Sequence, residues 1–169
     1  LNRLDEYLLF LYAHRHHAHT PGSWTAGEAS DITGGIPLFC MPAQLTIPLL
    51  LRWMLLFEDS DGDALYFGRA IPRAWLTDGK SVGIRAAPTR WGRAGFEMRV
   101  GGHTLEAVVT LPEREVPTAT WLSLRIPPGK TLRAVEQDGK TIHATDLHSQ
   151  AIKLHGRAGQ DVRVTAYFE

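Results

Sequence analysis

One short segment of the sequence, residues 22–31, combines the residue types that sugar-binding sites use. It reads GSWTAGEASD, which places Trp24, Glu28 and Asp31 among small residues. A tryptophan face packs against the apolar C–H face of a sugar, and carboxylates bind hydroxyl groups or act as acid, base or nucleophile. We therefore predict that Trp24 contacts substrate and that Glu28 and Asp31 are candidate catalytic carboxylates. The alternative is that either carboxylate only caps loop backbone or a helix end.

A histidine-rich segment, residues 14–19, comes just before this loop. On a helix, His14 and His17 form one i,i+3 pair and His16 and His19 form another, so each pair could supply two metal ligands. The sequence offers no obvious third or fourth ligand, and we expect neither a metal nor a cofactor. Two roles stay open for these side chains, which are interaction with the negative end of the helix dipole and contact of His17 and His19 with substrate.

A third group of chemically active residues lies in residues 69–92, which are rich in Arg, Pro and Trp. Arg69, Arg73, Arg85 and Arg90 could bind an anion or a uronic acid. The favoured alternative is that they pair with Asp and Glu at the junction between a helical and a stranded part.

The composition limits the class of partner. The 169 residues carry 18 basic and 18 acidic side chains, with no block of Lys or Arg. This balance argues against nucleic acid and anionic membrane as partners and favours a neutral one such as carbohydrate. The longest nearly apolar stretch, residues 45–57, is shorter than the ~20 residues that a membrane-spanning helix needs. We therefore expect no nucleic acid and no membrane partner.

The elements that must position these residues change in type along the chain. Apolar residues at helical spacing predict an amphipathic helix over residues 1–19, and a second helix over residues 42–59 is apolar on nearly every face. A short third helix is predicted over residues 64–70. The loop between the first two helices, residues 20–37, is too long for a simple connector, and such loops are often functional.

The rest of the chain is predicted to be stranded. Eight β-rich runs separated by turn signals occupy residues 82–86, 95–100, 104–111, 120–126, 132–137, 141–144, 151–154 and 162–168. This pattern is typical of an antiparallel β-sandwich or jelly roll. We predict an α+β fold with a helical segment, residues 1–78, and a sandwich, residues 79–169, that folds on its own.

The order of four segments resembles a known architecture. The segments are HHAHTPGSWTAGEAS, PAQLTIPLLLRWMLLFED, ALYFGRAIPRAWL and GIRAAPTRWG. They resemble the C-terminal end of bacterial glycoside hydrolase-like proteins of the α-L-rhamnosidase type, in which an (α/α)6 toroid precedes a β-sandwich. The resemblance covers nearly the whole chain and is strongest over residues 16–92.

The resemblance implies that residues 1–78 are the last helical hairpin of a toroid and that the loop at residues 20–37 is one wall of its sugar site. Glu28 and Trp24 would then lie near the substrate, with His17 and His19 beside them. The chain alone is not expected to be catalytically complete, and the remainder of a larger polypeptide or a second copy would cover the apolar helix. The alternative is a non-catalytic glycan-binding or structural β-sandwich module.

Overall fold

The computed structural model describes residues 3–20, 25–26, 41–77, 79–142, 147–148 and 150–169. The chain divides into two compact units, Leu1–Trp53 and Met54–Glu169. This division lies earlier in the chain than the predicted boundary after residue 78, because the residues that follow Trp53 contribute strands to the sandwich. In the described part of the chain, no helix is both long enough and apolar enough to cross a membrane.

The first unit contains helix α1 (Leu4–Ala18), helix α2 (Met41–Leu55) as far as Trp53, and the short strands β1 (His19–Thr20) and β2 (Thr25–Ala26). Asp5 and Glu6 occupy the first turn of α1, where negative charge is favourable near the positive end of the helix dipole. The predicted first helix is confirmed over Leu4–Ala18, whereas His19, its last predicted residue, belongs to β1.

One polar contact joins the two helices of this unit. The Tyr7 hydroxyl on α1 donates a hydrogen bond to the backbone carbonyl of Leu50 on α2. Burial raises the pKa of Tyr7 to about 12, because the phenolate would lose solvation there. The hydroxyl therefore stays protonated and remains a donor across the physiological pH range.

The described residues of the second unit form eleven strands in two sheets. They are β3 (Leu56–Glu58), β4 (Ala64–Phe67), β5 (Ser81–Thr89), β6 (Gly92–Gly101), β7 (Thr104–Thr110), β8 (Ala119–Ser123), β9 (Leu132–Gln137), β10 (Lys140–Thr141), β11 (Leu147–His148), β12 (Ala151–Lys153) and β13 (Asp161–Phe168). One sheet has the order β10-β9-β13-β7-β6-β5 and the other β11-β12-β8-β4-β3. Among the described pairs, only β4 and β8 run parallel. The predicted α+β fold with a β-sandwich is confirmed.

Residues 56–67 differ from the sequence prediction. The second helix ends at Leu55 and the chain continues directly into β3, while the predicted third helix is strand β4 followed by a turn. Four residues of ALYF are too few for periodicity to separate a strand from a buried helix. Sheet pairing decides the conformation, because β4 pairs with both β3 and β8.

The sandwich core joins the inner faces of the two sheets. The two early strands, β3 and β4, contribute Leu56, Leu65 and Phe67, which are fully buried in it. The Phe67 ring meets the ring of Phe96 edge to face, with centroids 5.9 Å apart. The early strands are therefore part of the core and not of a helical appendage.

Candidate functional site

Most of the loop that carries the site predicted from sequence lies outside the described residues. The predicted site residues are Trp24, Glu28, Asp31, His17 and His19. The first three lie outside the described residues. The backbone of His17 belongs to α1, and His19 pairs with Ala26 across the β1–β2 ladder. Through this pairing, Ala26 lies beside the residue that follows α1. The roles of all five residues stay predictions.

A cavity lined by described residues lies on the outer face of the six-stranded sheet. It is an open groove of about 560 Å³ that crosses β5, β6, β7 and β13. Cross-strand register places Glu97, Val108 and Arg163 side by side on three neighbouring strands. Arg99 and Glu106 form the next pair along the same face.

At one side of this groove the backbones of β5 and β6 are in close contact. A Cβ atom on Gly95 would lie only 2.7 Å from the carbonyl oxygen of Ile84. The β5–β6 register shifts between Ile84 and Ala87, and Ala86 adopts φ 48° within the irregularity. Glycine is required here because any side chain would push the edge strand away. The backbone of residues 84–86 consequently covers Gly95, which is buried.

Two ion pairs form walls of the groove. Arg85 Nη2 donates to Glu97 Oε2 at 2.9 Å, and Arg99 Nη2 donates to Glu106 Oε2 at 3.0 Å. The hydrogen bond and charge of Arg85 hold the pKa of Glu97 below its ordinary value. Because all four side chains are exposed, these pairs contribute little to stability, and they display donors and acceptors to solvent.

Three further charged side chains line the groove without such partners. Arg93, Arg163 and Glu113 are exposed, and their side chains make no ion pair or hydrogen bond to the described residues. The groove as a whole is thus lined by four arginines and three glutamates. It has a small excess of positive charge.

Of the four arginines singled out from sequence, only Arg85 pairs with a carboxylate among the described residues. The Arg69 guanidinium lies over the Tyr66 ring at 4.4 Å and the Phe57 ring at 5.1 Å. Arg73 Nε donates to the carbonyl of Ile126 at 2.9 Å. Among the described residues, Arg69 thus interacts with aromatic rings and Arg73 with a backbone carbonyl and the Gln150 amide, and neither pairs with a carboxylate.

Arg90 has a different function, since it neutralises the acidic turn between β3 and β4. Its guanidinium donates to the carbonyls of Asp59 and Gly62 and lies 4.1 Å from the centre of the Trp91 ring. Asp63, at the end of the turn, accepts hydrogen bonds from both the hydroxyl and the backbone N–H of Thr118. The protein's own donors thus occupy this turn, and no group of metal-binding side chains is found in the described ranges.

Sequence reasoning missed most of the groove. The alternation of Glu97 and Arg99 along β6 does indicate a wet face, but the residues opposite them become known only from the register with β7 and β13. Arg163 lies far along the chain from Glu97, and no local pattern links the two.

Twelve chains of solved structures are similar in part to this one, and they include two β-arabinofuranosidases. No protein-family model and no curated protein matches the chain. One similar structure is Ara127N-Se, a GH127 β-L-arabinofuranosidase from Geobacillus stearothermophilus T6, with 14% identity, a TM-score of 0.43, and coverage of 76% of this chain and 18% of that one. The other is the GH127 β-arabinofuranosidase BT3674, with 13% identity, a TM-score of 0.43, and coverage of 79% of this chain and 22% of that one. The chain thus spans about a fifth of the length of each.

Proposed function

We propose that this chain is the C-terminal portion of a carbohydrate-active, glycoside hydrolase-like protein. In this proposal residues 20–37 contribute a wall of the sugar site and the β-sandwich supports the helices. The sequence resemblance over residues 16–92 and the order of helical unit and sandwich support it.

The observation that carries the proposal is the apolar surface of the helical unit. Large exposed apolar side chains on α1 and α2 are Leu9, Phe10, Tyr12, Leu45, Leu49, Leu51 and Trp53. Phe10 and Leu9 are 74% and 68% exposed. Helices that are apolar outside as well as inside belong to a larger helical layer. We infer that the remainder of a larger polypeptide covers these side chains, and a second copy of the chain is the alternative.

Within this proposal the loop residues have separate roles. Glu28 is the first candidate for acid, base or nucleophile, and Asp31 is the second carboxylate. Hydrolysis with retention needs the two carboxyl groups about 5–5.5 Å apart, and inversion about 6.5–9.5 Å. Trp24 would stack on the sugar ring, while His17 and His19 would bind hydroxyl groups.

The first experiment measures the size and activity of the native protein. An antibody raised against the sandwich should detect a polypeptide well above 18.8 kDa in source cells. The protein purified with that antibody should release nitrophenol from at least one member of a panel of nitrophenyl glycosides. A native polypeptide of 18.8 kDa that hydrolyses none of them would contradict the proposal.

The second experiment assigns Glu28. Glu28→Gln in the native protein should lower kcat by about 10²–10⁴-fold if Glu28 is the general acid or base. Glu115→Gln, which removes an exposed carboxylate of the sandwich, is the matched control and should leave kcat unchanged. A rise in KM alone would assign Glu28 to hydroxyl binding. Normal kinetics with a lowered melting temperature would assign it to loop capping.

The alternative, a non-catalytic glycan-binding module, is favoured by one specific feature. This is the groove on the six-stranded sheet, which is concave and has charged side chains along its walls. Binding in this groove and catalysis at the loop are compatible in one protein.

A further inference from the structure

The groove on the sandwich has the surface character that a sugar chain needs. Val108 lies on the solvent-facing side of β7 and is 37% exposed, between Glu97 and Arg163 on the neighbouring strands. It provides an exposed apolar patch within the groove. A volume of about 560 Å³ is in the range of small-molecule sites, in which apolar surface is combined with a few polar groups.

The walls match hydroxyl chemistry. In each of the pairs Arg85–Glu97 and Arg99–Glu106, a guanidinium with several N–H donors lies next to a carboxylate with free lone pairs. Each sugar hydroxyl both donates and accepts, so it can bind to both members of such a pair. The low pKa of Glu97 keeps this acceptor ionised down to acidic pH.

The two arginines that have no side-chain partner among the described residues, Arg93 and Arg163, indicate the charge of the ligand. Arg163 lies two strands from Glu97, and Arg93 lies four residues before Glu97 on the same strand. Strand spacing and rise place the two Cα atoms about 17 Å apart. Guanidinium groups bind carboxylates in a bidentate manner, and two of them at separate points along a groove fit a chain with repeated carboxylates better than one small anion.

We propose that this groove binds an acidic oligosaccharide built from uronic acid units. Arg93 and Arg163 bind its carboxylates, and the two ion pairs bind its hydroxyl groups. This site goes beyond the proposed hydrolase function. Binding is measured on the 169-residue chain itself, so a negative result leaves the test of catalysis unaffected.

The test uses tetragalacturonic acid as the probe and its methyl ester as the uncharged counterpart, in calorimetric titrations of the full chain. We expect the acid to bind, the ester to bind at least tenfold more weakly, and added salt to weaken binding. Arg163→Gln and Arg93→Gln should each raise Kd for the acid about tenfold, since each removes a charge-assisted hydrogen bond.

Arg157→Gln is the matched control, because it removes the same charge from an exposed loop that does not line the groove. It should leave Kd unchanged. Three results would overturn the proposal: no binding of the acid by the wild type, equal binding of acid and ester, or an equal loss of affinity in Arg157→Gln and Arg163→Gln. Circular dichroism should show the same melting curve for all variants, since none of these three guanidinium groups is paired to the described residues.

Discussion

At the scale of single residues, Asp63 links the turn after β3 to the start of β8. The hydrogen bonds from the Thr118 hydroxyl and N–H, with the nearby charge of Arg90, hold the pKa of Asp63 below its ordinary value. A carboxyl group whose pKa is lower in the folded state stabilises the protein above the unfolded pKa. That contribution disappears as the pH falls through the folded pKa.

Because the pKa of Asp63 is lowered in the folded protein, its contribution to stability depends on pH. At about pH 6, Asp63→Asn should melt at a lower temperature than the wild type, because the neutral amide accepts weaker hydrogen bonds. Below about pH 4 the difference should shrink, since the carboxyl itself becomes protonated. Melting curves followed by circular dichroism across this range make the measurement.

Asp61→Asn removes the same charge from the same turn without touching Thr118, and so it serves as the control. Its effect on the melting temperature should be the smaller one. A deficit of Asp63→Asn that stayed constant from neutral to acidic pH would show that the ionisation of Asp63 does not contribute to stability.

At the scale of elements, the edge strand β5 is held close to β6 by glycine. A Cβ atom on Gly83 would lie 2.2 Å from the carbonyl oxygen of Phe96, a backbone atom that cannot move without opening the ladder. Gly83→Ala should therefore destabilise the protein by about 1–3 kcal/mol, the usual cost of overpacking. It should also deform the groove, which begins at this strand.

Gly101→Ala provides the matched comparison, because it also replaces a strand glycine with alanine but has no atom within 4 Å of the new Cβ. Its effect should stay within about 0.5 kcal/mol. Urea denaturation with both variants measures the two free energies of unfolding. Equal values would show that the close approach of β5 to β6 imposes no steric requirement.

The same element scale explains what the sequence could and could not predict. Buried and exposed residues alternate along strands such as β8, where Leu122 is buried and Ser123 is not, and this alternation predicted a sandwich. Each of the eight predicted runs overlaps an observed strand. The early strands were missed, because Leu56 continues the apolar run of the second helix and Leu65 lies in a four-residue run whose parallel partner, β8, lies far along the chain. The groove was missed for a similar reason, since it exists only through cross-strand register.

At the scale of the whole molecule, the sandwich needs its early strands. Residues 79–169 alone lack Leu56, Leu65 and Phe67, which are all fully buried. Each such side chain contributes about 1.5–3 kcal/mol by burial, and their sum is comparable with the total stability of about 5–15 kcal/mol of a domain. The expectation that residues 79–169 fold alone therefore does not agree with this core.

We expect residues 54–169 to melt cooperatively as a separate polypeptide and residues 79–169 to lose cooperative melting and most near-ultraviolet dichroism. Scanning calorimetry of the two polypeptides makes the comparison. Similar transitions in both would show that the early strands are dispensable.

The exposed apolar side chains of the helical unit should make the chain associate. Apolar side chains as exposed as those of Leu9, Phe10 and Leu45, at 68%, 74% and 61%, form a surface that water disfavours. The full chain should therefore associate in light scattering and bind an apolar dye, whereas residues 54–169 should stay monomeric. The double variant Leu9→Gln and Phe10→Gln should reduce both effects, and Val108→Thr on the sandwich should not.

A discrete dimer that binds no dye would identify a second copy as the natural cover, and open-ended association with dye binding would favour a missing part of a larger polypeptide. A monodisperse monomer without dye binding would contradict both covers, the second copy and the larger polypeptide. It would also remove the support that the exposed apolar surface of the helices gives to the proposed function.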